Sequence, residues 1–305
     1  MLPLVLVNPR AALGRTGRRL ADLDRLIRRH LGPVDLATPE SAEDTARLTE
    51  QSARDGRPAL IAAGGDGTLN AVACGLGSAL ATGGRLPPLA LFSAGSGGDF
   101  CRALGLRPGD PASLAALAAG RFRRIDMGRI DLDGQAPRHF LSVANAGLSA
   151  RVVAATARSA LPGLIGPRLA YVPLVLRELA RERGTRLCLQ AETGQRIEGR
   201  FILASVANSA FFAAGMPIAP QARPDDGLLD VVLIRHGAGI RPWDLGRLRR
   251  GDHLSHPAVI HLRCATLTLA APEDPGAVCD ADGEVMGPLP ARLSCLAEAL
   301  TLALP

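Results

Sequence analysis

Lysine is absent from all 305 residues, so each of the 35 basic side chains is an arginine. A phosphate loop of the GxxxxGK kind is therefore ruled out. Aromatic residues make up only 3% of the chain, and none interleaves with arginines, which leaves a single-strand nucleic-acid binder without stacking platforms. With no zinc-finger spacing and no basic helix standing out, no nucleic-acid partner is expected. Cysteine pairs at metal-ligand spacing are also missing: Cys74, Cys101, Cys188, Cys264, Cys279 and Cys295 are scattered, as in a reduced cytoplasmic chain. Long apolar runs are lacking too. "MLPLVLVNPR" has no basic start, and its apolar part stops at Asn8-Pro9, too short for a signal core or a membrane span. It reads as a first strand.

What is present is a chain that is 47% hydrophobic, long enough for two cores. Its formal net charge of +6 can draw in nucleic acid, an anionic membrane face or an anionic small substrate, without choosing among them. The first part alternates strand-like and helix-like stretches: Leu4 to Val7, Arg18 to His30, Val34 to Ala37, Ser41 to Asp55, Ala59 to Ala63, a helix after Thr68, Leu89 to Phe92, and Pro111 to Ala119. That alternation predicts parallel strands covered by helices. After about Arg123 the texture becomes strand-rich, interrupted by one helix over roughly Leu169 to Arg183, which predicts an antiparallel second domain. The expected fold is α/β plus all-β. An α/β domain is expected over 1–124 and a β-rich domain over 125–289, with residues 290–305 returning to the first.

The stretch "PALIAAGGDGTLNAVACGL" carries an apolar strand into Gly64, Gly65, Asp66, Gly67 and Thr68 and then into a helix. Backbone N–H groups and a helix N-terminus converge there, as at a phosphate site. A carboxylate among such amides repels phosphate unless a magnesium ion or a transferable proton lies between them, so Asp66 hints at phosphoryl transfer. A helix cap with a tight glycine turn explains the same stretch.

GGDGT, then "GSGGDFCRALGL", then "PQARPDDGLLDVVLI", then "DADGEVMGPLP", in that order, resemble the diacylglycerol kinase catalytic-domain family of lipid kinases, which includes sphingosine kinases. GGDGT alone is shared with NAD kinases; the later motifs carry the lipid-kinase resemblance. It implies a soluble kinase that uses ATP and Mg2+ to phosphorylate a hydroxyl of diacylglycerol or a related lipid. The work would be done in the cytoplasm, peripherally on the inner face of the membrane, and a homodimer is a candidate assembly.

The resemblance further implies that Asn8, Gly64, Gly65, Asp66, Gly67, Thr68, Gly95, Ser96, Asp99 and Arg102 surround the nucleotide. Arg15 or Arg18 would add positive charge where the family's Ser-Gly pair is replaced by Ala11 and Ala12. Asp282 would be the general base and Glu284 its partner or a magnesium helper, although "CDADGE" also reads as a hairpin turn. Asp126 would help hold magnesium, and Asp225 and Asp226 would hold a structural metal in a loop that is otherwise an acidic turn. Gly98, Ser142 and Ser149 stand where the family has asparagine, asparagine and aspartate. An NAD kinase and a non-catalytic lipid- or nucleotide-binding protein are the rival readings. The apolar "ALPGLIGPRLAYVPLVLREL" and the arginines of "GRLRRGDHLSH" are candidates for contact with an anionic membrane surface.

Overall fold

The computed structural model describes residues 1–9, 20–93, 98–159, 167–213, 215–237 and 244–305. Gly95, Ser96, Arg15 and Arg18 lie outside them. The chain begins with β1 (Leu4–Val7), α1 (Leu20–Leu31), β2 (Asp35–Ala37), α2 (Ala42–Arg54), β3 (Leu60–Gly64), α3 (Asp66–Ala81), β4 (Leu89–Ser93), α4 (Asp99–Ala103) and α5 (Ala112–Ala118). It continues through β5 (Phe122–Leu132), β6 (Arg138–Phe140), β7 (Val143–Gly147), α6 (Leu148–Arg158), α7 (Pro167–Ala180), β8 (Thr185–Ala191), β9 (Arg196–Ala207), β10 (Leu229–Arg235) and α8 (Asp244–Arg250). A 3-10 turn at Asp252–Ser255 is followed by β11 (Val259–Cys264), β12 (Thr266–Ala270), β13 (Val278–Ala281), β14 (Glu284–Pro288) and β15 (Ala291–Ala303).

In the first part β2, β1, β3 and β4 lie side by side and parallel. Strands β1, β3 and β4 are buried along their whole lengths, as expected where helices cover both faces of a parallel sheet. Separate apolar clusters on the two faces, one around Leu60, Leu76 and Leu91 and one around Val5, Ile27 and Leu114, supply the driving force. The second part is antiparallel, with β7 and β9 joined to β13, β8 and β10, over a core that includes Leu189, Phe201, Val231 and Leu267. Strand β15 joins the two parts. It pairs antiparallel with β12 and β5 and reaches β4 in parallel through Leu302 opposite Leu89.

Local chemistry accounts for the helix limits nearest the cleft. Ser41 caps α2 by accepting the N–H of Asp44 at 3.1 Å, and Glu43 and Asp44 complement the dipole of its first turn. The buried face of α2 is built from Thr45, Thr49, Ser52 and Ala53, small residues that let α3 come close: a Cβ at Gly75 would lie 2.3 Å from the carbonyl oxygen of Ala46. Helix α3 is buried on most sides, because β6 of the second part closes over it. A Cβ at Gly77 would lie 2.1 Å from Nδ1 of His139.

Two elements differ from the sequence expectation. The segment after β7 turns at Gly147, with φ of 88°, into α6, so among the described residues three helices, α6, α7 and α8, rather than one interrupt the strands. The run "AVIHLRCATLTLA" is two strands, β11 and β12, parted at Ala265. The carboxylate of Glu192 accepts the N–H groups of Ala265 and Thr266 at 2.7 and 2.8 Å and so fixes that break from a distant turn.

The contact between α3 and β6 yields a test. Gly77→Ala forces a methyl group into the His139 ring and is expected to cost about 1–3 kcal/mol, seen as a lower midpoint of thermal unfolding. A variant as stable as the parent would contradict this packing.

Candidate active site in the cleft

The loop from β3 to α3 forms one wall. Gly65 precedes α3 without a side-chain cap, so the first N–H groups of the helix have no side-chain acceptor. Three of the glycines divide by function. A Cβ at Gly64 would lie 2.3 Å from Oγ1 of Thr68, and that hydroxyl accepts the amide of Asn8 at 3.2 Å, so Gly64, Thr68 and Asn8 lock β1 to the loop. Around Gly65 and Gly67, in contrast, an added Cβ would meet nothing within 4 Å among the described residues, and neither has a positive φ. Packing and backbone conformation place no demand for glycine at these two positions, and what glycine provides there is room against the backbone.

Asp66 opens α3. One of its oxygens, Oδ1, is buried without a hydrogen-bond partner among the described residues. Burial first, and then the charges of Asp99 and Asp282, push its pKa up to about 7, against the pull of the N–H groups of Asp99 and Phe100. The absent side chain at position 98 acquires a reason here: a Cβ would lie 2.6 Å from Oδ1 of Asp66. Gly98 gives this carboxylate its space.

Asp282 comes from the other part of the molecule. It occupies the first position of the two-residue turn between β13 and β14, with φ of 49°, followed by Gly283 at 86°, the pair of positive φ values of a type I′ hairpin. The turn aims the carboxylate back into the protein. Its Oδ2 accepts the N–H of Leu141 at 2.8 Å and the amide of Asn70 at 3.3 Å, and Oδ1 accepts the N–H groups of Ser142 and Val143 at 3.0 and 3.1 Å. Burial raises its pKa and these donors counter the rise. Four donors occupy the lone pairs that a carboxylate offers, which leaves none over for a substrate hydroxyl in this arrangement.

Asn70, which sequence reasoning missed, lies one turn after Asp66 on the same face of α3; the spacing in "GDGTLN" was the available signal. Glu284 faces Arg138 at 3.4 Å, with its pKa raised mainly by burial. Also unforeseen is Asp280, only 1% exposed. It accepts the amide of Asn145 at 3.1 Å, and Asn145 in turn accepts the hydroxyl of Ser205 at 2.7 Å. Asp99 is buried at the start of α4 beside Asp66. Arg102 is directed at the second part of the molecule, its guanidinium 5.9 Å from the ring centre of Phe211.

The three residues expected to hold metal do not come together as ligands. Asp126 is fully buried, and its oxygens accept the N–H groups of Gly227 and Glu298, each at 2.7 Å. Asp225 is shared by Arg123 and Arg223 at 3.0 and 3.1 Å. Asp226 is taken by Arg263 and by the N–H of Leu228. Among the described residues no group of three or more His, Cys, Asp or Glu side chains is arranged to hold a metal ion.

Fold and cleft together define a two-domain protein in which an open glycine loop at a helix N-terminus faces carboxylates from both domains. Residues 3–130 match the diacylglycerol kinase catalytic domain, and residues 142–304 match the YegS C-terminal NAD kinase beta sandwich-like domain. A Pseudomonas aeruginosa protein described as "Probable lipid kinase YegS-like" is 32% identical over 266 residues, covering 86% of this chain and 82% of that protein. A diacylglycerol kinase of Mycobacterium tuberculosis is 29% identical over 284 residues, covering 92% and 87%. The crystal structure of a diacylglycerol kinase from Bacillus anthracis superposes with a TM-score of 0.73 at 17% identity, over the whole of this chain and 97% of that one. The chain belongs to the diacylglycerol kinase catalytic-domain family of lipid kinases.

The Asp66 environment yields a prediction with a definite sign. Its folded pKa lies above the ordinary value of 3.8, so the folded chain keeps a proton that the unfolded chain releases, and stability falls as pH rises from about 4 to about 7. Asp66→Asn removes that loss. The midpoint of thermal unfolding of the variant, relative to wild type, is expected to be higher at about pH 8 than at about pH 4; a pH-independent difference would contradict the shift.

Proposed function

We propose that the protein is a kinase that uses ATP and Mg2+ to phosphorylate a hydroxyl of diacylglycerol or a related lipid. The observation that carries this reading is the convergence, at one helix N-terminus, of two glycines with open space around them and a buried carboxylate whose pKa is near neutrality. The backbone of Gly65 and Gly67 receives the phosphates of the nucleotide. Asp66 takes the proton of the lipid hydroxyl through Oδ1, its pKa being close to the pH at which a general base works best. Asp282, saturated by donors, holds α3 against the second domain and keeps Asp66 basic through its charge. Mg2+, when bound, neutralises the negative charge that accumulates on the phosphates and on the neighbouring carboxylates. A cation of this kind is bound through one or two carboxylates and the substrate's own phosphates; Asp99 would be its protein contact, which leaves Oδ1 of Asp66 to the hydroxyl.

The lipid is met at the membrane surface. Among the described residues no helix is long and apolar enough to cross a bilayer. Helix α7 exposes Leu176 by 60% and Leu179 by 44%, and the last turn of α8 carries Arg247, Arg249 and Arg250. Apolar and cationic groups of this kind support peripheral contact with anionic lipid on the cytoplasmic side.

The test is transfer of labelled γ-phosphate from ATP with Mg2+ to diacylglycerol, phosphatidylglycerol, sphingosine, ceramide and NAD in mixed micelles. Label in a lipid is expected, with Asp66→Ala lowering the turnover roughly 10²–10⁴-fold. Label in NAD alone would replace this reading with that of an NAD kinase. Folded, ATP-binding protein that labels nothing would replace it with a binding protein.

A further inference from the structure

The acidic loop at Asp225-Asp226-Gly227 is the place where the resemblance to the family leads one to expect a structural cation, and the donor set found there is the wrong one for it. Both oxygens of each carboxylate concerned already accept N–H donors. Asp126 takes two backbone N–H groups, Asp225 takes two guanidinium groups, and Asp226 takes one of each. Three guanidinium groups, those of Arg123, Arg223 and Arg263, stand against the two loop carboxylates and already supply the positive charge that a hard cation would bring.

Arg263 is the centre of the arrangement. It lies on β11 directly opposite Asp230 of β10, a cross-strand pair of opposite charge. Its Nε donates to Oδ2 of Asp230 at 3.3 Å, while its Nη2 reaches Oδ2 of Asp226 in the loop. Asp230 is only 1% exposed, and its other oxygen faces Nε2 of His261 at 2.7 Å. One planar guanidinium thus bridges a buried strand carboxylate and a loop carboxylate, which a fork of fixed N–H directions does well.

The loop is in turn wired to the cleft. The N–H of Gly227 binds Asp126, and the carbonyl of Asp126 accepts the amide of Asn208 at 3.3 Å. The same amide donates to the carbonyl of Leu141 at 2.9 Å, and the N–H of Leu141 is one of the donors to Asp282.

We propose that Arg263 replaces a metal ion in this chain: its guanidinium closes the acidic loop over Asp226 and Asp230, so that the fold is independent of divalent cations and Arg263 acts as a positioning residue for the segment that holds Asp282. The consequence is a separation of roles, in which any divalent ion the protein uses belongs to the nucleotide and not to the fold.

The test uses the full chain without nucleotide. After dialysis against a chelator, wild type is expected to carry no stoichiometric divalent metal by elemental analysis, and its unfolding midpoint is expected to stay unchanged when Mg2+ or Ca2+ is added. Arg263→Ala leaves Asp226 and Asp230 facing each other with no cation between them. Its midpoint is expected to fall by roughly 5 °C or more in chelator and to recover toward wild type with Ca2+ or Mg2+, a rescue that simple loss of packing would not show. A wild-type midpoint that rises with either ion, a metal retained at one per chain, or an Arg263→Ala midpoint equal to that of wild type would overturn the proposal. The wild-type measurements decide the matter even where the variant fails to fold.

Discussion

The carboxylate of Asp282 is the point on which the rest of the cleft depends. It stands on a hairpin turn of the β-rich domain, yet one of its donors is Asn70 of α3, the helix that begins at the glycine loop. The other donors are the backbone N–H groups at the entrance to β7. A single carboxylate therefore ties the helix that follows the glycine loop in one domain to the sheet of the other. Breaking such a group is costly because its partners are left buried and unmatched. Strand β15, shared by both sheets, gives the domains a common frame; Asp282 sets their register at the cleft itself.

That tie has an electrostatic consequence. Placing Asp282 near Asp66, with Asp99 close by, makes ionisation of Asp66 harder, and burial adds to the effect. The site therefore concentrates unfavourable electrostatics that a proton on Asp66 relieves. This is the kind of local conflict expected where a chain gives up stability for chemistry. Gly98 belongs to the same bargain: the residue that looked like a loss of side-chain function is the one that leaves Asp66 its space.

What the sequence made legible was local. Ser41 as the cap of α2 and the strand-loop-helix at GGDGT could be read because their signals lie within a few residues of each other. The missed helix α6 begins at Gly147, in a run whose apolar pattern continues that of β7. The break at Ala265 depends on Glu192, 73 residues away. The ion pairs of the acidic loop were illegible for the same reason. Asp225 and Asp226 look like ligands in isolation, and their partners Arg123 and Arg263 lie 102 and 37 residues away. The division of labour between Asp66 and Asp282 was illegible for a related cause, since it rests on how many donors each carboxylate already has.

The most direct measurement is the pH dependence of phosphate transfer at saturating substrate for wild type, Asp66→Asn and Asp282→Asn. The account predicts a rise in rate with pH that reports the coupled carboxylates. It predicts that this rise disappears in Asp66→Asn, and that in Asp282→Asn it persists but moves to lower pH, because the charge that opposes ionisation of Asp66 is gone. A rise lost in Asp282→Asn and retained unchanged in Asp66→Asn would show that Asp282 takes the proton, and would contradict the account at its centre.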